Sequence, residues 1–182
     1  YNEEGIIVNF LCELVLIVDQ ADDDYEIIVI NDCSTDKTRE EAIALQIPIT
    51  LIDHTNNKGY GAAIKTGMVK AAFETIVITD ADSTYPNRSI PALVSVAENE
   101  DLDMVVGARV GKNVKIPLIR KPAKWVITKL ANYLSGTRIP DLNSGLRVMK
   151  KSVVDKFANI LPNGFSFTTT ITLAMLTNNH SV

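Results

Sequence analysis

Ile76-Val77-Ile78-Thr79-Asp80-Ala81-Asp82 is the stretch whose reading decides the fold. A short β-branched apolar run of this kind reads as a buried strand. It ends abruptly in two carboxylates one residue apart. Open α/β sheets keep their ligands at the carboxyl ends of their strands, which is where this run places Asp80 and Asp82. Residues i and i+2 of an extended segment point the same way, so the two carboxylates face one target together. Two like charges that close call for a cation, a proton or good solvation. A hard divalent cation answers that need, since Mg²⁺ takes one or two carboxylates together with substrate phosphate oxygens. A solvated Asp-rich turn is the plain alternative, and the motif alone does not separate the two.

Working outward, two more apolar runs end in polar groups. Residues 26–30 close on Asn31-Asp32, and residues 103–107 lead into Ala108-Arg109. A shorter strand is expected at 49–52, and helices at about 36–45, 60–73 and up to about 98. Ser34 or Thr35 can cap the first of these, and Pro86 and Pro91 bracket the start of the last. Strands alternating with helices at short intervals predict an α/β domain, with a mainly parallel sheet and right-handed crossovers. In such a sheet the three strand ends lie on one edge, which gathers carboxylates and a guanidinium around one crevice. Residues 6–18 are almost wholly apolar and read as a buried helix.

The second part is less regular. Residues 110–121 form a basic, loop-like stretch with Lys112, Lys115, Arg120 and Lys121 and no acid. It is either a solvated charge run or a receiver for phosphate or an anionic membrane surface. A helix at 123–134, in which Trp125 packs, is followed by a polar turn at 141–147 that leads into a short strand. Helices are expected at 152–160 and 168–176.

Composition bounds the function. The chain has 182 residues, 46% apolar and 22% charged, which suits one ordinary globular domain. A net charge of −4 gives a nucleic-acid partner no electrostatic support. Cys12 and Cys33 lie far apart and match no metal spacing, and Cys33 reads as a packed thiol. No apolar run reaches the roughly 18 residues of a membrane span. His54 and His180 are isolated in sequence and attract no role. The chain begins at Tyr1 in mid-pattern and stops at Val182 without a terminator, so it reads as a piece of a longer protein.

Asn57-Lys58-Gly59-Tyr60-Gly61-Ala62-Ala63 is a Gly-containing loop opening a helix. Such a loop either presents backbone N–H groups to phosphate or packs a helix start closely on the sheet. It is neither a Walker sequence nor a dinucleotide fingerprint, because Ile64 occupies the place of the third glycine.

Taken together, these motifs resemble those of the family 2 glycosyltransferases of GT-A fold, and more narrowly the dolichyl- and polyprenyl-phosphate branch. Tyr1-Asn2-Glu3-Glu4 is similar to the tail of P-x-Y-N-E. Residues 28–36 resemble V-D-D-G-S-x-D, with Cys33 where the family has Gly, and 57–63 resemble N-x-G-x-G-A-A. Asp80-Ala81-Asp82 matches D-x-D, Gly107-Ala108-Arg109 resembles G-S-R, and 141–147 resemble D-x-x-S-G-F-R. The resemblance implies that Tyr1, Glu3, Ile30 and Asp32 contact the nucleoside of a nucleotide sugar, with Asp80 and Ala81 beside the ribose and diphosphate. It implies Mg²⁺ or Mn²⁺ on Asp82, with Asp80 and Thr84 nearby, and Arg109 and Arg120 facing phosphate or sugar as catalytic cations. Asp141, Ser144 and Arg147 fall on the acceptor side.

The expected activity is inverting, metal-assisted transfer from a GDP- or UDP-sugar to polyprenyl or dolichyl phosphate. The expected location is the cytoplasmic face of a membrane, with truncation at both ends relative to the family and a homo-oligomer left open. A sugar-hydroxyl acceptor would need a general base. Residues 165–170 offer only hydroxyls there. The rival readings are a catalytically silent nucleotide-binding module, a transferase acting on a sugar hydroxyl, and a nucleotidyltransferase. The last would want a Gly-rich basic phosphate loop near the first strand.

Overall fold

The computed structural model describes residues 1–21, 24–108 and 141–182. The expected alternation is present: α1 (Ile7–Val18), β1 (Ile27–Asn31), α2 (Thr38–Ala44), β2 (Ile49–Asp53), α3 (Tyr60–Lys70), β3 (Thr75–Ile78), α4 (Ile90–Asn99) and β4 (Met104–Val106). After the undescribed segment come β5 (Arg147–Lys150), α5 (Lys151–Asp155) and α6 (Phe167–Thr177).

β1 and β2 pair in parallel, from Ile27 opposite Ile49 to Asn31 opposite Asp53. β5 lies between β3 and β4 and runs antiparallel to both, with Ile76 and Met104 each opposite Met149. β3 and β4 therefore point the same way, as a parallel α/β fold requires, and β5 is an antiparallel insert. This insert sets the site. Arg147 opens β5 opposite Ile78 and Val106, so the turn before it faces the carboxyl ends of β3 and β4.

Two apolar cores hold the fold. One joins Ile7, Phe10, Leu11 and Leu14 of α1 to Ile27, Ala42, Tyr85, Ile90 and Leu146. The other joins Met68, Met104 and Met149 to Val153, Val154, Leu161 and the α6 residues Phe167, Ile171 and Met175. Burial of side chains this size contributes roughly 1.5–3 kcal/mol each. α1 departs from the expected buried helix: Asn9, Cys12 and Leu16 are exposed, so it packs through one face only. α3 stops at Lys70 rather than running to 73, because Ala71 turns extended and Ala72 N–H is taken by Glu26. α5 is likewise short; beyond Asp155 the chain tightens into i→i−3 bonds such as Ala158 to Asp155.

Candidate active site

Asp80 and Asp82 emerge just past β3. Asp82 is exposed, and its Oδ1 accepts the Thr84 N–H at 2.9 Å, across Ser83 in the left-handed region at φ 57°. The Tyr1–Glu4 loop is bound to the segment after β1. Asn2 N–H donates to Ser34 Oγ (3.0 Å), Thr35 N–H to Asn2 Oδ1 (2.9 Å), and Glu3 N–H to Thr38 Oγ1 (2.7 Å). This brings Glu3 within reach of Asp82 and Asp36. Burial, and then those two charges, push its carboxyl above the usual range.

Asp80 lines a crevice of about 370 Å³ together with Tyr60, Asn143, Phe165, Ser166, Thr168 and Thr169. A Cβ at position 145 would overlap the Asp80 carboxylate, so Gly145 leaves the space that Asp80 occupies. Gly145 is fixed in turn by its N–H to Tyr85 Oη at 2.6 Å. The Tyr60 hydroxyl is pushed well above its ordinary pKa, first by burial and then by the Asp80 charge. The Tyr60 ring stacks on Phe165 at 5.5 Å between centroids, and Phe165 stands 84% exposed.

The turn at 141–147 forms the next wall. Asp141 and Ser144 are buried; Asp141 accepts the Asn143 N–H at 3.2 Å, and Ser144 Oγ donates to the Gly107 carbonyl at 2.6 Å. Thr169 Oγ1 donates to Asn143 Oδ1 at 2.7 Å, which ties this turn to α6. Arg147, expected on the acceptor side, is turned into the interior. It is fully buried, and it donates to the carbonyls of Ser144 (2.7 Å) and Leu142 (3.0 Å) and to Thr172 Oγ1 (2.7 Å). Desolvation lowers its pKa to about 10, so the guanidinium remains a cation at neutral pH. Its hydrogen bonds hold the turn and tie it to α6.

Asp32 is also buried, and its carboxylate is engaged inside the chain. It accepts the N–H groups of Lys58 and Gly59, each at 2.8 Å, and pairs with His54 Nδ1 at 2.6 Å. Burial drives its pKa up, but the bonds from Lys58, His54 and Gly59 outweigh that and leave it below the usual range. His54, which attracted no role in the sequence, is therefore part of the strand-end architecture. Nothing in the sequence marks this pairing; the register of the two strands does. β1 and β2 end level at Asn31 and Asp53, so the next residues, Asp32 and His54, must meet.

The Gly-containing loop resolves as close packing. Cβ atoms at Gly59 or Gly61 would strike the backbone at Asn163 or Pro162. The N–H groups of Lys58, Gly59 and Ala62 are spent on Asp32 and on the Asn163 carbonyl. Cys33 stands at φ 63°, in the left-handed region, at the position where the resembled motif has glycine. His180 is no more isolated than His54; it pairs with Asp103 at 2.9 Å. Arg109, Arg120, Trp125 and the basic stretch lie outside the described residues.

The donor set suits a hard divalent cation. Asp82 is exposed, Asp80 is given room by Gly145, and the ligands that Mg²⁺ or Mn²⁺ would still need are of the kind substrate phosphates supply. Among the described residues no three His, Cys, Asp or Glu side chains form a metal cage on their own.

Comparison with known proteins agrees with this geometry. The sequence is 28% identical over 155 residues to a dolichyl-phosphate hexose transferase of Haloferax volcanii, covering 85% of this chain and 64% of the relative. It is 31% identical over 152 residues to a dolichol-phosphate mannosyltransferase of Pyrococcus furiosus, covering 78% of this chain and 42% of that one. The chain thus spans less than two thirds of the length of these relatives. Among solved structures, the fold is similar to glucosyl-3-phosphoglycerate synthase of M. tuberculosis (TM-score 0.74, 20% identity, 97% of this chain and 64% of that one). It is also similar to the mannosyltransferase PcManGT of Pyrobaculum calidifontis, solved with GDP-Man and Mn²⁺ (TM-score 0.68, 22% identity, 100% of this chain and 51% of that one). Both are GT-A glycosyltransferases in fold. The family model described as Glycosyl transferase family 2 matches residues 1–157, and with the strand-end carboxylates in place the chain belongs to that family.

Proposed function

We propose that residues 1–182 are part of a catalytic domain that transfers a hexose, with inversion, from a GDP- or UDP-sugar to a polyprenyl or dolichyl phosphate. The observation that carries this reading is the meeting of the Tyr1–Glu4 loop with the Asp80–Asp82 end of β3, beside a crevice walled by hydroxyls. Tyr1, Glu3 and Ile30 border the nucleoside, with Asp32 holding the loop behind it. Asp82, oriented by the Thr84 N–H, and Asp80 hold Mg²⁺ or Mn²⁺. When bound, that cation neutralises the leaving diphosphate as the glycosidic bond breaks. Arg109 and Arg120 are proposed to hold phosphate.

The acceptor follows from the crevice wall. Where α6 enters the site, Ser166, Thr168 and Thr169 line it, and among the described residues Asp80 is the one carboxylate on that lining. With Asp80 assigned to the cation, that lining keeps no carboxylate among the described residues to act as a base. A phosphate monoester has a second pKa of about 6, so it is dianionic and already a nucleophile at neutral pH. The relatives named above as dolichyl-phosphate and dolichol-phosphate transferases support this choice. No helix among the described residues is long and apolar enough to cross a membrane. The proposed setting is the cytoplasmic membrane face, where a lipid phosphate can be reached.

Calorimetry with a nucleoside diphosphate, with and without Mn²⁺, tests the metal site. Asp82→Asn should weaken Mn²⁺-dependent binding far more than metal-free binding; equal losses would remove the metal role. A labelled nucleotide-sugar assay in detergent, offering polyprenyl phosphate or free oligosaccharide to the full-length protein, tests the acceptor. Transfer to the oligosaccharide alone would refute the lipid phosphate.

A further inference from the structure

Among the described residues, His54 is a buried group that the proposed reaction leaves unused. Its side chain is 3% exposed, and that of Asp32 is 9% exposed. Nδ1 lies 2.6 Å from Asp32 Oδ1, and Nε2 lies 2.9 Å from Thr66 Oγ1 in the middle of α3. An ionised carboxylate only accepts, so Nδ1 carries its proton toward Asp32. In the neutral ring Nε2 is then an acceptor, and it takes the Thr66 hydroxyl proton. One neutral tautomer satisfies both contacts, and the Asp32 bond selects it, because the Thr66 hydroxyl can donate or accept.

The same carboxylate closes a loop. The chain leaves β2 at His54, whose own N–H is held by the Asn31 carbonyl at 2.9 Å. It returns at Lys58 and Gly59, whose N–H groups both end on Asp32. Gly59, at φ 96°, then starts α3, and Tyr60 carries its hydroxyl to Asp80. One buried carboxylate thus fixes both ends of the loop at 55–59 and the entrance of α3. His54 is the side chain that holds this carboxylate from behind.

We propose that His54 is a positioning residue: through Asp32 it locks the loop at 55–59 and the start of α3, so that the nucleoside edge and the Asp80 crevice keep a fixed relation. His54 touches no substrate. The inference rests on the nucleotide-sugar reading of the site, and its two parts are measured separately. The loop is followed by hydrogen exchange of the Lys58 and Gly59 amides, and the site by calorimetric affinity for UDP and GDP with Mn²⁺. Melting temperature is recorded for each variant.

His54→Leu removes both contacts at similar volume. His54→Asn keeps an N–H that reaches Asp32 in place of Nδ1 and loses only Thr66. In the leucine variant, exchange at Lys58 and Gly59 should quicken and nucleotide affinity should fall about tenfold, the scale of a lost hydrogen bond to a charged group. The asparagine variant should restore most of both. Wild-type exchange at these amides in His54→Leu would overturn the proposal. So would leucine and asparagine variants equally impaired in step with their melting temperatures, which is what simple core packing gives. Wild-type protein that binds neither nucleotide would instead overturn the nucleotide reading, while the exchange result still decides whether His54 holds the loop.

Discussion

At Gly145 the lack of a side chain decides where Asp80 can sit. The left-handed backbone is not the reason here; space is, because a Cβ would enter the Asp80 carboxylate. Overpacking of this kind costs about 1–3 kcal/mol. We expect Gly145→Ala to lower the melting temperature by a few degrees and to abolish the Mn²⁺-dependent part of nucleoside diphosphate binding. A double-mutant cycle with Asp80→Ala checks the cause. The alanine at 145 should cost little once the carboxylate is gone, and a full cost in that background would disprove the clash. Cys33 shows the other use of a glycine position. Its φ of 63° is left-handed although a side chain is present, at a cost of about 1–2 kcal/mol by the usual steric argument. The substitution was visible in the sequence; that the backbone is left-handed there was not.

At the scale of the element, β5 organises the site more than its four residues suggest. It is buried on pairing with β3 and β4, and its first residue is a fully buried arginine. The planar guanidinium reaches two carbonyls of the preceding turn and Thr172 of α6 at once, which joins turn, strand and helix. A lysine keeps the charge but cannot span three acceptors in a plane. Arg147→Lys is therefore expected to destabilise by about 2–4 kcal/mol, since buried acceptors are left unmet, and to loosen the turn that carries Asn143 and Gly145. Chemical denaturation gives the first quantity. A lysine variant of wild-type stability would show that the fork is not needed. The same element explains why the resemblance of 141–147 to an acceptor-side motif did not reveal what Arg147 touches. An arginine in a polar turn and an arginine buried under it look alike in sequence.

For the whole molecule, acid should be the weak side. Asp32, Asp53 and Asp103 all lie below the ordinary carboxylate pKa of 3.8 in the fold. For Asp53 the largest cause is the Asn31 amide, followed by Arg39; for Asp103, burial opposes the bonds from His180 and Ser181 and is outweighed. Depressed carboxylates contribute stability that is full above the unfolded value and is lost as pH falls through the folded values. Glu3, raised, acts in the opposite sense. The melting temperature is expected to hold from neutral pH to about pH 5 and to fall steeply below about pH 4, the range in which unfolded carboxylates titrate. A flat profile to about pH 3 would contradict these pairings. The α/β alternation, the strand ends and the carboxylate pair were legible in the chain alone, because short apolar runs and the polar residues that stop them are local properties. The antiparallel insertion of β5, the pairing of Asp32 with His54, the burial of Arg147 and the space at Gly145 came only with tertiary contacts. Each depends on which segments come to lie side by side. Asp32 meets His54 across 22 positions, and Arg147 meets Thr172 across 25, and neither pair carries a mark of that meeting in its own neighbourhood.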